Sequence, residues 1–169
     1  MEIEVLRLNH RIGRDPRIST HVALTARAFG CSKIYYSGDK DSKLEETVNQ
    51  ITKKFGGPFY IEHTKEDINL VKEKKKNGFL IVHLTMYGKD FRHYKSKLNK
   101  NILIIIGGEK VEPIFYELAN YNLSITNQPI SEVSALGVFL YDILGYRENF
   151  QDAKLRVIGK ERGKLLKQL

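Results

Sequence analysis

The apolar residues of the chain fall into short continuous runs that are separated by polar, amphipathic segments. Two of these runs, residues 79–84 and 101–106, are almost entirely apolar rather than alternating with polar residues. Continuous runs of this kind are typical of strands in a parallel sheet that is covered on both faces. The pattern predicts strands over residues 3–8, 33–37, 59–61, 79–84, 101–106 and 123–126.

The intervening segments carry helical periodicity and capping residues. Ser19 or Thr20 is suited to cap the first helix and Ser131 the last, and Gly30 and Gly145 follow the C-terminal ends of these two helices. Because strands and helices alternate, the chain is predicted to form an α/β fold, a mostly parallel open sheet with right-handed crossovers and helices on both faces. Helices are predicted over residues 20–29, 42–55, 65–77, 113–120 and 132–144.

The length of 169 residues fits one domain of ordinary size. The predicted α/β domain occupies residues 1–145. Residues 146–169 form a basic tail with seven Lys or Arg residues, three acids and weak periodicity. This tail is compatible with an extra helix, an arm that reaches a partner subunit, or a frayed end.

Composition excludes several classes of protein. An apolar fraction of 41% is enough to bury a core, which argues against intrinsic disorder. The single Cys31 excludes a disulfide framework and a cysteine-based zinc cluster, and we expect it to be an inert buried thiol. No apolar run approaches 18 residues, and the N-terminus lacks a signal-peptide pattern. We therefore expect a soluble, cytoplasmic protein with neither a membrane nor a metal as partner.

The net charge of +8 points to a polyanionic partner, and nucleic acid is the leading candidate. The alternative is a lysine-rich surface that is simply solvated. Five of the nine arginines lie in the first 27 residues, where Asp15 is the single acid after Glu4. Arginine offers a planar, bidentate donor to phosphate, so this clustering favours the nucleic-acid interpretation.

Ligands of open α/β sheets bind at the carboxyl ends of the strands. Residues 9–17, 85–88, 107–111 and 127–132 follow the predicted strands. The Gly107-Gly108 pair permits close approach of the backbone to a ligand, although a tight turn alone would also explain it. The chain contains neither a dinucleotide-binding glycine fingerprint nor a P-loop, and it lacks the serine-hydrolase and zinc-protease motifs. His83 lies inside an apolar strand, where a satisfied core or near-site histidine is expected.

Three segments resemble known motifs in their order and spacing. They are residues 7–11 with 14–30 (RDPRISTHVALTARAFG), residues 104–111 (IIIGGEKV) and residues 126–136 (TNQPISEVSAL). They are similar to the motifs of the archaeal tRNA cytidine 56 2′-O-methyltransferases of the SPOUT superfamily, and the similarity spans about residues 3–145. The resemblance implies an α/β fold with a trefoil knot near the C-terminus, a homodimer, and S-adenosyl-L-methionine as cofactor.

The same resemblance implies a cofactor site in the loops that follow three strands. Its expected residues are Leu84, Gly107, Gly108, Glu109, Lys110, Val111, Ile125, Thr126, Asn127, Gln128, Pro129, Ile130, Ser131 and Glu132.

The catalytic assignment by resemblance is less direct. Related ribose methyltransferases use an arginine of the first motif, but that position falls on Leu24 here. Arg14 and Arg17 are then the expected replacements, with Arg27 next. Glu132 stands where relatives have an asparagine, and it is the third predicted catalytic residue. The predicted RNA-binding residues are Arg7, Arg11 and Arg14.

Two functions therefore remain from the sequence, with a generic one behind them. The first is S-adenosylmethionine-dependent 2′-O-methylation of cytidine 56 in the T-loop of tRNA. The second is a basic RNA-binding α/β module without catalysis, and the third is an unrelated flavodoxin-like nucleotide binder. The helix over 132–144 is apolar on nearly every side, which predicts that it packs across a dimer interface; the alternative is a helix enclosed within one subunit.

Overall fold

The computed structural model describes residues 1–108 and 110–169. A six-stranded sheet has the order β3-β2-β1-β5-β4-β6, and every neighbouring pair is parallel. Its strands are β1 (Ile3–His10), β2 (Lys33–Gly38), β3 (Tyr60–His63), β4 (Leu80–Asp90), β5 (Ile102–Ile106) and β6 (Tyr121–Ser124). The helices are α1 (Pro16–Ala28), α2 (Ser42–Phe55), α3 (Asp67–Lys76), α4 (Pro113–Leu118) and α5 (Glu132–Leu144). The predicted parallel α/β fold is confirmed.

Helices cover both faces of the sheet, so the molecule has two apolar cores. On one face α1, α2 and α5 pack against β-strand side chains such as Val5, Ile104 and Ile106. On the other face α3 and α4 pack against Leu6 and Leu8 of β1 and against their neighbours. Successive strand residues therefore enter different cores, which explains why the strands read as continuous apolar runs.

The first helix begins earlier than predicted. Pro16 takes the first helical position, and Asp15 rather than Ser19 or Thr20 precedes it. A proline is well suited to this position because its missing N–H has no partner there in any case. Ser19 instead lies inside α1, is buried, and contacts the ring of His10 at 2.7 Å.

The alternation of strand and helix is interrupted after β4. This strand has 11 residues instead of the six predicted, and its register with β6 shifts between Leu84 and Lys89, both of which pair with Leu123. Residues 85–88 thus leave the ladder and return to it. A 3-10 helix, Phe91–Lys97, takes the place of an α-helix before β5.

The basic tail forms a small antiparallel hairpin of two strands, β7 (Leu155–Val157) and β8 (Leu166–Gln168). The extra helix, one of the three structures that the sequence allows for this tail, does not form: no helix occurs between residues 146 and 169. The division of the chain at residue 145 stays a prediction. Within the described part of the chain, no helix is both long and apolar enough to cross a membrane.

Candidate active site

A cavity of about 490 Å³ opens at the carboxyl ends of β4, β5 and β6. Its volume suits a small organic ligand. Among the predicted cofactor residues, those in its lining are Leu84, Gly107, Gly108, Lys110, Val111, Ile125, Thr126, Ile130 and Glu132. The sequence segments after three separate strands therefore meet at one site, as expected for the carboxyl edge of a parallel sheet.

The other predicted cofactor residues shape the loops around this cavity. The side-chain amide of Asn127 donates hydrogen bonds to the backbone oxygens of Met86 at 2.7 Å and Gly88 at 3.1 Å, which ties residues 85–88 to the segment before α5. The hydroxyl of Ser131 accepts a hydrogen bond from the backbone N–H of Val133 and caps α5. Gln128 and Pro129 are exposed and lie between these two residues. Glu109 lies outside the described residues.

His83, the predicted core or near-site histidine, lines the cavity and belongs to a polar cluster whose other members were not predicted. The Nδ1 atom of His83 lies 2.9 Å from the side-chain oxygen of Asn122, and its ring meets the ring of Tyr116 edge-on. Tyr116 in turn contacts the hydroxyl of Thr85 at 3.3 Å. Burial lowers the pKa of His83, so the imidazole is neutral at pH 7. A histidine interrupting an apolar strand was the one visible signal for this cluster.

Arg7 lies beneath Gly108 and is almost fully buried. Its guanidinium forms an ion pair with Glu132 at 3.2 Å and donates a hydrogen bond to the backbone oxygen of Leu8 at 2.9 Å. Burial lowers the pKa of Arg7, and the neighbouring carboxylate of Glu132 opposes this shift. With 1% of its surface exposed, Arg7 presents little surface to an RNA phosphate, and its predicted role in RNA binding stays a prediction. Its ion pair connects β1 to the start of α5.

Arg11 and Arg14 lie beside Gly108 in a second, shallower cavity of about 330 Å³ that Arg7 and Glu132 also line. Arg11 donates two hydrogen bonds to the carboxylate of Asp15, at 2.8 and 3.1 Å. These bonds lower the pKa of Asp15. The predicted residues Arg11, Arg14 and Glu132 are thus brought together next to the loops that are predicted to hold the cofactor.

Two other arginines of the first motif lie elsewhere. Arg17 is exposed on the first turn of α1 and lines neither of these two cavities. Arg27 is buried at the far end of α1, where it donates to the backbone oxygen of Gly56. Within a single chain, neither side chain is part of the site at Gly108.

The loop that carries Arg11 and Arg14 is held by a buried histidine. His10 has no exposed surface, and its two ring nitrogens lie 2.7 Å from the hydroxyl of Ser19 and 2.9 Å from a carboxylate oxygen of Asp41. These contacts join the end of β1 to α1 and to the start of α2. The arginine loop therefore leaves the sheet from a fixed point.

Within the described residues, one face of α5 is only partly covered: the ring of Tyr141 meets the ring of Phe29 edge-on, with 6.3 Å between their centroids. Leu136, Phe139 and Leu140 are buried, whereas Val138 and Tyr141 are 47% and 61% exposed. Large exposed apolar side chains grouped on one helix face are typical of a protein–protein contact.

Comparison with known proteins agrees with this geometry. Residues 55–167 match the family model described as tRNA ribose 2′-O-methyltransferase, aTrm56. The chain is 46% identical to the tRNA (cytidine(56)-2′-O)-methyltransferase of Thermococcus kodakarensis, over 99% of this chain and 97% of the relative. It is 43% identical to the protein of the same name from Methanothermobacter thermautotrophicus, over 100% and 98% of the two chains.

Solved structures with the same fold are more distant in sequence. The TrmH/SpoU tRNA modifying enzyme of A. aeolicus superimposes with a TM-score of 0.65 at 23% identity, over 85% of this chain and 74% of that chain. The SpoU methyltransferase AviRb of Streptomyces viridochromogenes, in complex with AdoMet, gives a TM-score of 0.60 at 16% identity, over 85% and 59% of the two chains.

Proposed function

The chain belongs to the aTrm56 family of tRNA ribose 2′-O-methyltransferases, and from this membership we propose that it transfers a methyl group from S-adenosylmethionine to the 2′-hydroxyl of cytidine 56 in tRNA. The observation that carries the proposal is the cavity at Gly107-Gly108, which adjoins the arginine loop. The small-molecule cavity and the cationic surface formed by Arg11 and Arg14 are therefore adjacent, and Gly108 lines both. Both are needed for a reaction between a small donor and a nucleic acid.

The residues of the cavity fit S-adenosylmethionine. A side chain at Gly108 would bring its Cβ to 3.3 Å from Nη1 of Arg7, so the floor of the site is tight at this glycine. The cavity lining includes Gly107, Gly108 and Thr126, whose backbone carries peptide donors and acceptors. Leu84 and Val111 add apolar surface. When bound, the cofactor supplies an activated methyl group on a positively charged sulfur.

The remaining chemistry requires positioning and charge. A ribose 2′-hydroxyl is a poor nucleophile when neutral, so it must be held in line and its proton must be accepted. Arg14 and Arg11 lie where a substrate phosphate would enter, and their charge favours a partly ionised hydroxyl. Glu132 is engaged by Arg7, which supports a positioning role for this carboxylate rather than that of a free base.

The enzyme acts as a homodimer in this proposal. The exposed Val138 and Tyr141 of α5 support a contact between two copies on this face. Arg17 is absent from its own chain's site at Gly108, so its predicted catalytic role depends on delivery by the partner subunit. The trefoil knot implied by the family resemblance stays a prediction. A location in the cytoplasm, where the protein would encounter its tRNA substrate, also stays a prediction.

Calorimetry and methyl transfer test the proposed function together. The protein should bind S-adenosylmethionine, and it should transfer a radiolabelled methyl group to an unmodified tRNA transcript. Gly108→Leu should abolish cofactor binding, because a leucine side chain would enter the tight space against Arg7. The matched control is Gly159→Ala, a position where an added Cβ meets no atom within 4 Å. Tight tRNA binding without any affinity for the cofactor would favour the non-catalytic RNA-binding module instead.

A further inference from the structure

A cleft that is distinct from the two cavities at Gly108 lies at the opposite edge of the sheet. It has a volume of about 300 Å³ and is bounded by the C-terminal ends of α1 and α2 and by the tail that follows α5. These helix ends lead into the first residues of β2 and β3, so the cleft is at the amino edge of the sheet. Strands of five residues separate the two edges by about 17 Å.

Three arginines line this cleft, and their hydrogen bonds go to neutral oxygens. Arg27 donates to the backbone oxygen of Gly56 at 3.1 and 2.6 Å. Arg147 donates to the backbone oxygen of Asn149 at 3.4 Å, and Arg156 donates to the side-chain oxygen of the same residue at 2.7 Å. Within residues 1–108 and 110–169, none of the three forms an ion pair, whereas Arg7, Arg11 and Arg92 each pair with a carboxylate.

The charge of Arg27 is the most unusual of the three. Its residue surface is only 7% exposed, and burial lowers its pKa without a compensating carboxylate. Buried charges in proteins are normally paired. The ring of Phe150 compensates in part, because the guanidinium carbons of Arg27 and Arg147 lie 4.8 and 4.9 Å from its centre. Glu148 is the acid in the described lining of the cleft, and it forms an ion pair with none of these arginines.

The hairpin extends this positive charge along the surface. Arg156 of β7 is directly opposite Lys167 of β8, and like charges in that position destabilise a strand pair. Lys160, Arg162 and Lys164 follow in the exposed connection between the two strands. An anion that bridges these cations would remove the repulsion, and guanidinium groups match the geometry of phosphate.

We propose that this cleft binds a backbone phosphate of the tRNA substrate and that the hairpin continues the same contact along the RNA. The inference rests on the proposed tRNA-methylating function and adds a second RNA-binding surface to it. An RNA strand suits the cleft better than a free ion because the cations continue beyond the cleft along an exposed hairpin.

The test compares two charge-matched double variants of the full chain. Arg147→Gln with Arg156→Gln removes two cations from the cleft, and Lys72→Gln with Lys76→Gln removes two exposed cations from α3. For the cleft variant we expect a rise of about tenfold in KM for unmodified tRNA. We also expect the log–log salt dependence of tRNA binding to fall by about 1.5, since each lost phosphate contact contributes about 0.7 to 0.9. The kcat at saturating tRNA and the affinity for S-adenosylmethionine should not change.

Several outcomes would overturn the proposal. One such outcome is a cleft variant whose KM for tRNA and salt slope equal those of the α3 variant. Another is a cleft variant that loses binding of inorganic phosphate but still binds tRNA as the wild type does, which would assign the cleft to a free anion. A change in oligomeric state in sedimentation with an unaltered salt slope would make the cleft a contact between copies. If the double variant fails to fold, exposed Arg156→Gln alone carries the same comparison. A wild type that binds tRNA through these arginines but transfers no methyl group would refute the enzymatic function and leave this proposal standing.

Discussion

Arg7 and Glu132 connect the first strand to the last helix of the sheet domain beneath the glycine pair. We expect Glu132→Gln to lower the free energy of unfolding by about 2 kcal/mol, because it leaves the buried guanidinium without its counter-charge. The value is below that of a fully buried pair because the side chain of Glu132 is 29% exposed. Urea denaturation measures it, with the exposed Glu112→Gln as control.

A double-mutant cycle decides whether this effect belongs to the pair. Arg7→Met combined with Glu132→Gln should be less destabilised than the sum of the two single variants, with a coupling of about 1 to 2 kcal/mol. Simple additivity would mean that the two side chains do not interact in solution.

Ser19 and His10 give a second prediction for single residues. Ser19→Ala should cost about 1 to 2 kcal/mol of stability, because it leaves a buried ring nitrogen of His10 without its partner. Thr20→Ala, on the neighbouring and more exposed position of α1, should cost less than about 0.5 kcal/mol. Equal losses in thermal or urea unfolding would show that the contact at 2.7 Å contributes nothing specific.

The roles of the arginines were the hardest part of the site to predict from sequence. Arg7 was predicted to contact RNA because arginine suits phosphate. The two-residue period of a strand, however, places Arg7 on the same face as Ile3 and Val5, which enter a core. The identity of its partner could not be predicted in this way. Glu132 lies 125 positions further along the chain, and only the packing of α5 brings it to β1.

At the scale of elements, the interruption of β4 determines the shape of the cofactor cavity. The sequence predicts a loop at residues 85–88 after a six-residue strand, whereas β4 continues to Asp90. Residues 85–88 lack partners in β6, and residues 89 and 90 pair with β6 again. That return depends on a register shift and on the Asn127 hydrogen bonds, both of which are contacts between distant segments. Local sequence carries no signal for either.

Gly88 is the residue that permits this return. A Cβ at this position would lie 2.6 Å from backbone atoms of Leu123, closer than real contacts allow. We therefore expect Gly88→Ala to displace residues 85–88 and to weaken S-adenosylmethionine binding at least tenfold in calorimetry. Gly159→Ala should bind the cofactor as the wild type does; equal affinity in both variants would contradict the role given to this loop.

At the scale of the whole molecule, the fold class followed from the sequence, whereas the strand order did not. Continuous apolar runs such as that of β5 indicate burial on both faces, and both faces are covered. The strands β2 and β3 extend the sheet on one side of β1, whereas β5 lies on the other side of β1, between β1 and β4. No local sequence pattern encodes this change of side. The tail hairpin was not predicted either, because strands of three residues are too short to show a clear alternation in the sequence.

Subunit mixing tests the assembly. If the partner supplies Arg17, an inactive Arg17→Ala protein and an inactive Gly108→Leu protein should regain part of the wild-type activity when mixed, because some mixed dimers carry one complete site. Arg17→Ala alone should still bind the cofactor. Absence of recovery after demonstrated subunit exchange would mean that both residues act within one chain.

The most direct test of the central claim replaces a single atom of the substrate. Two tRNA transcripts are compared, one with cytidine and one with 2′-deoxycytidine at position 56, and mass spectrometry locates the methyl group after incubation with the protein and S-adenosylmethionine. The account predicts one methyl group on the ribose 2′-oxygen of nucleotide 56 in the first transcript and none in the second. Equal methylation of both transcripts, or a methyl group on a base or on another nucleotide, would contradict it.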